Sequence, residues 1–194
     1  FLSVFDLFKI GIGPSSSHTM GPMVAAQRFL DEILNGDWVR PYGSKVSEIK
    51  VSLHGSLAFT GIGHATDRAV ILGLCGEKPD TMDIEGAEAL LEKVARSKTI
   101  TPPGHPPYRF DPATDLVLDK KTPLPGHANG MQFTALDQDG RQLLRIPYFS
   151  VGGGFVMSGD ELAASKNSAK RDTGPSVPYP FANTKEMLDM AMSL

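Results

Sequence analysis

Residues 131–149, MQFTALDQDGRQLLRIPYF, decide the fold of this chain. Asp139-Gly140 lies between two apolar-rich runs, 131–137 and 141–149, the strongest short-range signal for an antiparallel hairpin. Working outward, LVLD at 116–119 reads as a short strand, and TPPGHPPYRFDP at 101–112 is too rich in proline for a helix interior and reads as a rigid loop. Farther back, Ile84, Ala87, Leu90, Leu91 and Val94 keep a helical period behind a capping Asp83, and RAVILGLCG reads as a buried helix. Residues 46–54, VSEIKVSLH, alternate: Ile49, Val51 and Leu53 fall on one face, Lys50, Ser52 and His54 on the other. From Met20 to Leu34 apolar residues recur at three- and four-residue steps, and Asn35-Gly36 ends that helix. The order is helix, strand, two helices, strand, hairpin. It predicts an α+β fold with a mixed or antiparallel sheet and helices packed on it, not a doubly wound parallel sheet.

With 194 residues, 41% hydrophobic and 21% charged, the chain has the make-up of an ordinary globular domain. A net charge of -3 and no basic run give no reason to expect nucleic acid, and no stretch has the apolar length of a membrane span. Cys75 is the single cysteine, which excludes an intramolecular disulfide and suits a reducing, cytoplasmic setting; within AVILGLCG it reads as a small buried hydrophobe. The apolar FLSVFDLFKI at 1–10 lacks the features of a signal peptide and reads as a short helix or turn beside the loop that follows. Beyond Ser158 the composition turns polar and proline-rich, so the expected organisation is a domain over 1–158 and a linker over 159–183. A new helix capped by Thr184 then starts a following domain at 184–194.

Residues 11–22, GIGPSSSHTMGP, lead from a glycine- and proline-punctuated loop into the first helix. Any of Ser15, Ser16 and Ser17 can cap that helix, and its free amides suit a carboxylate or phosphate. One serine suffices for a cap; the extra hydroxyls with His18 and Thr19 suggest chemistry. Four of the five histidines lie in glycine-rich loops: His18, His54 in LHGS, His64 in GIGHATD and His127 in GHANG. Each also has an ordinary reading. Asp67 can simply cap the next helix, Gly152 to Gly154 can serve a bend or bulge, and His127 can be loop surface. No pair of histidines has the spacing of a classical zinc site, neither G-x-G continues to a dinucleotide fingerprint, no G-x-S-x-G elbow is present, and no lysine is marked for pyridoxal. What remains is hydroxyls, imidazoles, an amide and exposed backbone amides, a set suited to a small amino or hydroxy acid.

GPSSSHTMGP, HGSLAFTGIGHATDRAVILGLCG, HANGMQF and YFSVGGGF, in that order, resemble the β domain of the bacterial iron–sulfur L-serine dehydratases over residues 3 to 158. The resemblance implies conversion of L-serine to pyruvate and ammonia. It implies a 4Fe–4S cluster held by cysteines of an α domain or α subunit that this one-cysteine chain lacks, with no metal ligand in the chain itself. It further implies a homodimer and a fold like the allosteric substrate-binding domain of phosphoglycerate dehydrogenases. It assigns His18, His64 and then His54 to proton transfer or orientation. Ser15, Ser16, Ser17, Thr19, Ser56, Thr66, Asn129 and Gly153 go to substrate binding or the pocket wall. The other reading is a regulatory module that binds a small hydroxy or amino acid and does no chemistry.

Overall fold

The computed structural model describes residues 11, 13–168, 179, 181 and 183–193. The expected element at 1–10, and the part of the expected linker over 169–178, lie outside the described residues. The fold is α+β. A π-helical turn, Ser16–Met20, runs straight into helix α1, Gly21–Asn35. Strand β1, Glu48–Gly55, leads into the short helix α2, Ser56–Thr60, a 3-10 turn at Ile62–His64, and helix α3, Thr66–Leu74. Helix α4, Ile84–Ser97, follows, capped by the Asp83 side chain as expected. Then come β2 (Thr99–Ile100), β3 (Tyr108–Arg109), β4 (Leu116–Asp119), β5 (Asn129–Leu136), β6 (Gln142–Gly152) and β7 (Phe155–Ser158). Helices α5, Gly159–Ser168, and α6, Thr184–Met192, complete the described chain.

The strands form one seven-stranded mixed sheet in the order β2-β3-β1-β5-β6-β7, with β4 paired to β1 as well. β1 is parallel to β3 and β4 but antiparallel to β5, and the β5–β6–β7 run is antiparallel throughout. The hairpin forms around Asp139-Gly140; Asp137 Oδ1 accepts from Asp139 N and Arg141 N and holds the turn. Ile49, Val51 and Leu53 of β1 join Met131, Phe133 and Ala135 of β5 against Phe29, Leu30 and Ile33 of α1. The Phe29 and Phe133 rings lie 5.3 Å apart in that core. Helix α3 crosses α1 at Gly73, where a Cβ would run into the Met23 carbonyl oxygen.

Two local expectations are corrected, and the start of the expected linker is helical. Residues 159–168 form that helix, opened by a capping box of Ser158 and Glu161: Glu161 N donates to Ser158 Oγ and Ser158 N to Glu161 Oε2. The cap of α6 is Asn183, whose Oδ1 accepts from Glu186 N, one residue before the expected Thr184. Asp67 does not cap α3; the N-cap is Ala65, in left-handed conformation at φ 53°, with no side-chain cap bond. In addition, Tyr108–Arg109 within the proline-rich loop makes a two-residue strand.

Candidate active site

The serine loop, the end of β1, the GIGHAT turn and the HANG loop converge at one end of the sheet. Ser15 is the extended residue before the π turn, and its hydroxyl accepts from His18 N at 3.1 Å. π turns are uncommon and frequent at functional positions. This one carries His18 with both ring nitrogens engaged, Nδ1 to Ser17 Oγ and Nε2 to Ser56 Oγ, each at 3.0 Å. Ser15 Oγ lies 3.4 Å from Ser17 Oγ, so Ser15, Ser17, His18 and Ser56 form a continuous polar chain. Ser16, between them, is exposed.

His64 meets this chain ring to ring, with centroids 4.8 Å apart and planes tilted by 39°. Its Nδ1 faces the Thr60 carbonyl at 2.9 Å. A carbonyl can only accept, so Nδ1 carries the proton, and in the uncharged ring Nε2 bears the lone pair. Burial, and then the neighbouring His64, push the His18 imidazole below its usual 6.5. The two histidine backbones are braced reciprocally. Thr19 Oγ1 donates to the His64 carbonyl at 2.9 Å, and Thr66 Oγ1 donates to the His18 carbonyl at 2.5 Å. Both threonines are buried, at 3% and 0% exposure, so their hydroxyls serve the frame of the site. Ala65, left-handed between His64 and α3, turns the chain so that this crossing closes.

The HANG loop closes the same end. Ser56 N donates to the Ala128 carbonyl at 2.9 Å, and Asn129 pairs with Gly55 across β1 and β5. Gly55 adopts φ 57°, ψ -132°, and a Cβ there would run into the Ala128 oxygen. The Asn129 side-chain amide donates to the Ser150 carbonyl at 3.1 Å, and Asn129 N to His127 Nδ1 at 3.1 Å. Gly152, Gly153 and Gly154 all have positive φ and make the turn from β6 into β7; Gly153 is exposed there.

Two residues stand differently from their neighbours. His54 is buried, its Nδ1 donating to the Thr122 carbonyl at 2.6 Å and its Nε2 facing Ser52 Oγ at 2.8 Å. It is thus tied to the outer face of β1 and the 119–122 turn, not to the His18–His64 pair. Asp67, on the first turn of α3, has a buried Oδ1 with no hydrogen-bond partner among the described residues. The sequence reading missed the Thr60 and Ala128 carbonyls. They are main-chain groups without a side-chain signature, although the glycine at 55 marks the close approach to Ala128.

Among the described residues, no three or more His, Cys, Asp or Glu side chains are grouped to share a metal ion. Cys75, the single cysteine of the chain, is half-buried, and burial pushes its thiol up to about 11; one cysteine falls short of the several thiolates that hold a cluster. The described residues therefore do not fit an iron–sulfur cluster. No helix among them is long and apolar enough to cross a membrane.

The chain is 43% identical over 190 residues to an L-serine dehydratase of Streptomyces coelicolor, covering 98% of this chain and 40% of the relative. It is 39% identical to an L-serine dehydratase of Haemophilus influenzae, covering 96% of this chain and 39% of the relative. To the L-serine dehydratase TdcG of Escherichia coli it is 40% identical, over 97% of this chain and 39% of the relative. The chain thus spans about two-fifths of the length of these relatives. The profile of the family described as serine dehydratase beta chain matches residues 3–161, a span that holds every residue of the braced imidazole site, and the chain belongs to that family.

Proposed function

We propose that this chain is the β portion of a cytoplasmic L-serine dehydratase, a lyase that converts L-serine to pyruvate and ammonia. The observation that carries the reading is likeness to L-serine dehydratases over 96–98% of the chain, with the His18–His64 site inside the matched span. The longer remainder of those relatives corresponds to an α domain or α subunit. The 4Fe–4S cluster implied by the resemblance belongs to that remainder, because the residues described here do not fit it. The helix at Thr184–Met192 is read as the start of the following helical domain. A homodimer of the complete enzyme is part of the same reading.

Exposed Ser16 faces the substrate carboxylate, while Ser15 and Ser17 hold the loop that presents it. His64, with the Nε2 lone pair directed away from its Thr60 anchor, accepts the α-proton of serine. His18, fixed at both nitrogens and pushed toward its uncharged form, holds His64 in place and keeps a second positive charge out of the site. Loss of the α-proton and the β-hydroxyl, together one water, leaves aminoacrylate. This tautomerises to the imine, which takes up water and gives pyruvate and ammonia. Asn129 and Gly153 complete the wall of the pocket.

The test is pyruvate formation from L-serine after anaerobic reconstitution with iron and sulfide, using this chain alone and the complete enzyme. Activity confined to the complete enzyme, and lost in Ser16→Ala and His64→Ala, is the expected result. Near-normal kcat/KM in both variants would sink the assignment. Inactivity of a complete enzyme carrying a properly formed cluster would leave the regulatory-module reading.

A further inference from the structure

Phe59 and Ile62 hold their side chains in solvent, at 64% and 66% exposure, on the two short turns that carry His64. Helix α2 uses Leu57 and Ala58 for the core, so neither exposed side chain is spent on folding this unit. Thr60, next to Phe59, is the residue whose carbonyl anchors the His64 ring. Lys120 Nζ lies 5.9 Å from the centre of the Phe59 ring. An aromatic and an aliphatic side chain on neighbouring turns, with a lysine beside the ring, have the composition of a binding surface: apolar at the centre, polar at the edge.

We propose that Phe59 and Ile62 form the docking face for the part of a serine dehydratase that lies outside the matched span. The proposal rests on the function proposed above. Two observations choose this occupant. The relatives are about two and a half times as long as the matched span, so most of each lies outside the region described here. The imidazole pair also lacks the grouped ligands that a cluster needs among the described residues, so the missing chemistry must arrive from outside. A serine molecule is only a few ångströms long, so the two halves of the site have to meet across the His18 and His64 rings. The exposed apolar side chains on the turns next to His64 are what such a meeting buries. It would also shed water from the imidazoles and strengthen every polar contact in the closed site.

The test is carbene labelling of Phe59 and Ile62, read by mass spectrometry, in this chain alone and in the complete enzyme, with pyruvate formation measured on the same samples. Labelling of both residues is expected to fall about fivefold or more in the complete enzyme, as for side chains that enter an interface core. Unchanged labelling in an enzyme that makes pyruvate would overturn the docking face and leave the functional reading intact. Protection in a complete enzyme that makes no pyruvate would support the docking face and sink the functional reading. Protection of the chain alone that grows with its concentration would identify a second copy as the occupant and overturn the proposal.

Discussion

The imidazoles of His18 and His64 face each other at 4.8 Å, yet no hydrogen bond joins the two rings; Ser17 and Ser56 hold one, and the Thr60 carbonyl holds the other. Burial, and then the neighbouring His64, oppose protonation of the His18 ring.

Stability is therefore expected to fall on mild acidification. His18 is pushed below its usual 6.5 in the folded chain, and burial pushes His105 in the same direction. Below that value the unfolded chain binds more protons than the folded one, so the slope of stability against pH is positive. The contribution is fully present above pH 6.5 and is lost as pH falls through the lowered folded values. Urea midpoints measured from about pH 7.5 to about pH 5 should drop, and His18→Asn should flatten the profile. An unchanged slope in His18→Asn would exclude His18 as a source.

The crossed threonine bonds should be separable from the rings they hold. Thr19→Val and Thr66→Val each remove a hydroxyl from a carbonyl that then lacks that partner, at a cost of roughly 1–2 kcal/mol. In the complete enzyme both should lower kcat more than they raise KM, because they move the imidazoles and leave Ser16 in place. A double-mutant cycle should show coupling of about 0.5 kcal/mol or more, since the two bonds close one ring of backbone. Strict additivity would show that the two bonds act independently.

Gly55→Ala tests the close approach of the HANG loop. The added Cβ meets the Ala128 oxygen, and φ 57°, ψ -132° is a region that only glycine adopts without strain. A loss of about 2–4 kcal/mol in equilibrium unfolding is expected. A variant of unchanged stability would mean that the loop does not press on β1.

Arg28 ties α1 to the far edge of the sheet. It donates to the Val156 carbonyl at 2.7 Å, pairs with Glu161 at 2.8 Å and lies over the Tyr148 ring at 5.4 Å. Arg28→Ala should cost about 1–2 kcal/mol and speed amide exchange in β7 and α5. Glu161→Gln should cost under about 1 kcal/mol, because the ion pair is half-exposed and screened. Equal losses from the two variants would place the whole effect in the charge pair.

Elements with a long hydrophobic period could be read from the chain. The periodic face of α1, the alternation of β1 and the turn at Asp139-Gly140 all appear where their residues predict. Two-residue strands such as Tyr108–Arg109 have no period to read, and their pairing depends on partners far away in sequence. Helix α5 was hidden by a polar composition, although Ser158 and Glu161 have capping-box spacing. At the site, the hydroxyls and imidazoles identified themselves by type. Their division of labour did not, because it depends on main-chain acceptors. Ser16 is exposed while Thr19 is buried, and only the π turn separates them. His54 likewise belonged by type to the polar face of a strand, and the 119–122 turn covers it.

The threonine cross-brace fixes the backbones of the two histidines through their carbonyls, so the spacing of positions 18 and 64 does not rest on the rings alone. Such a frame is a socket. Replacing either imidazole with a smaller side chain leaves an aligned vacancy, into which free imidazole or another small base could be supplied from solution. By the same logic, a lineage could exchange the reactive groups at positions 18 and 64 for others without rebuilding the scaffold that aims them.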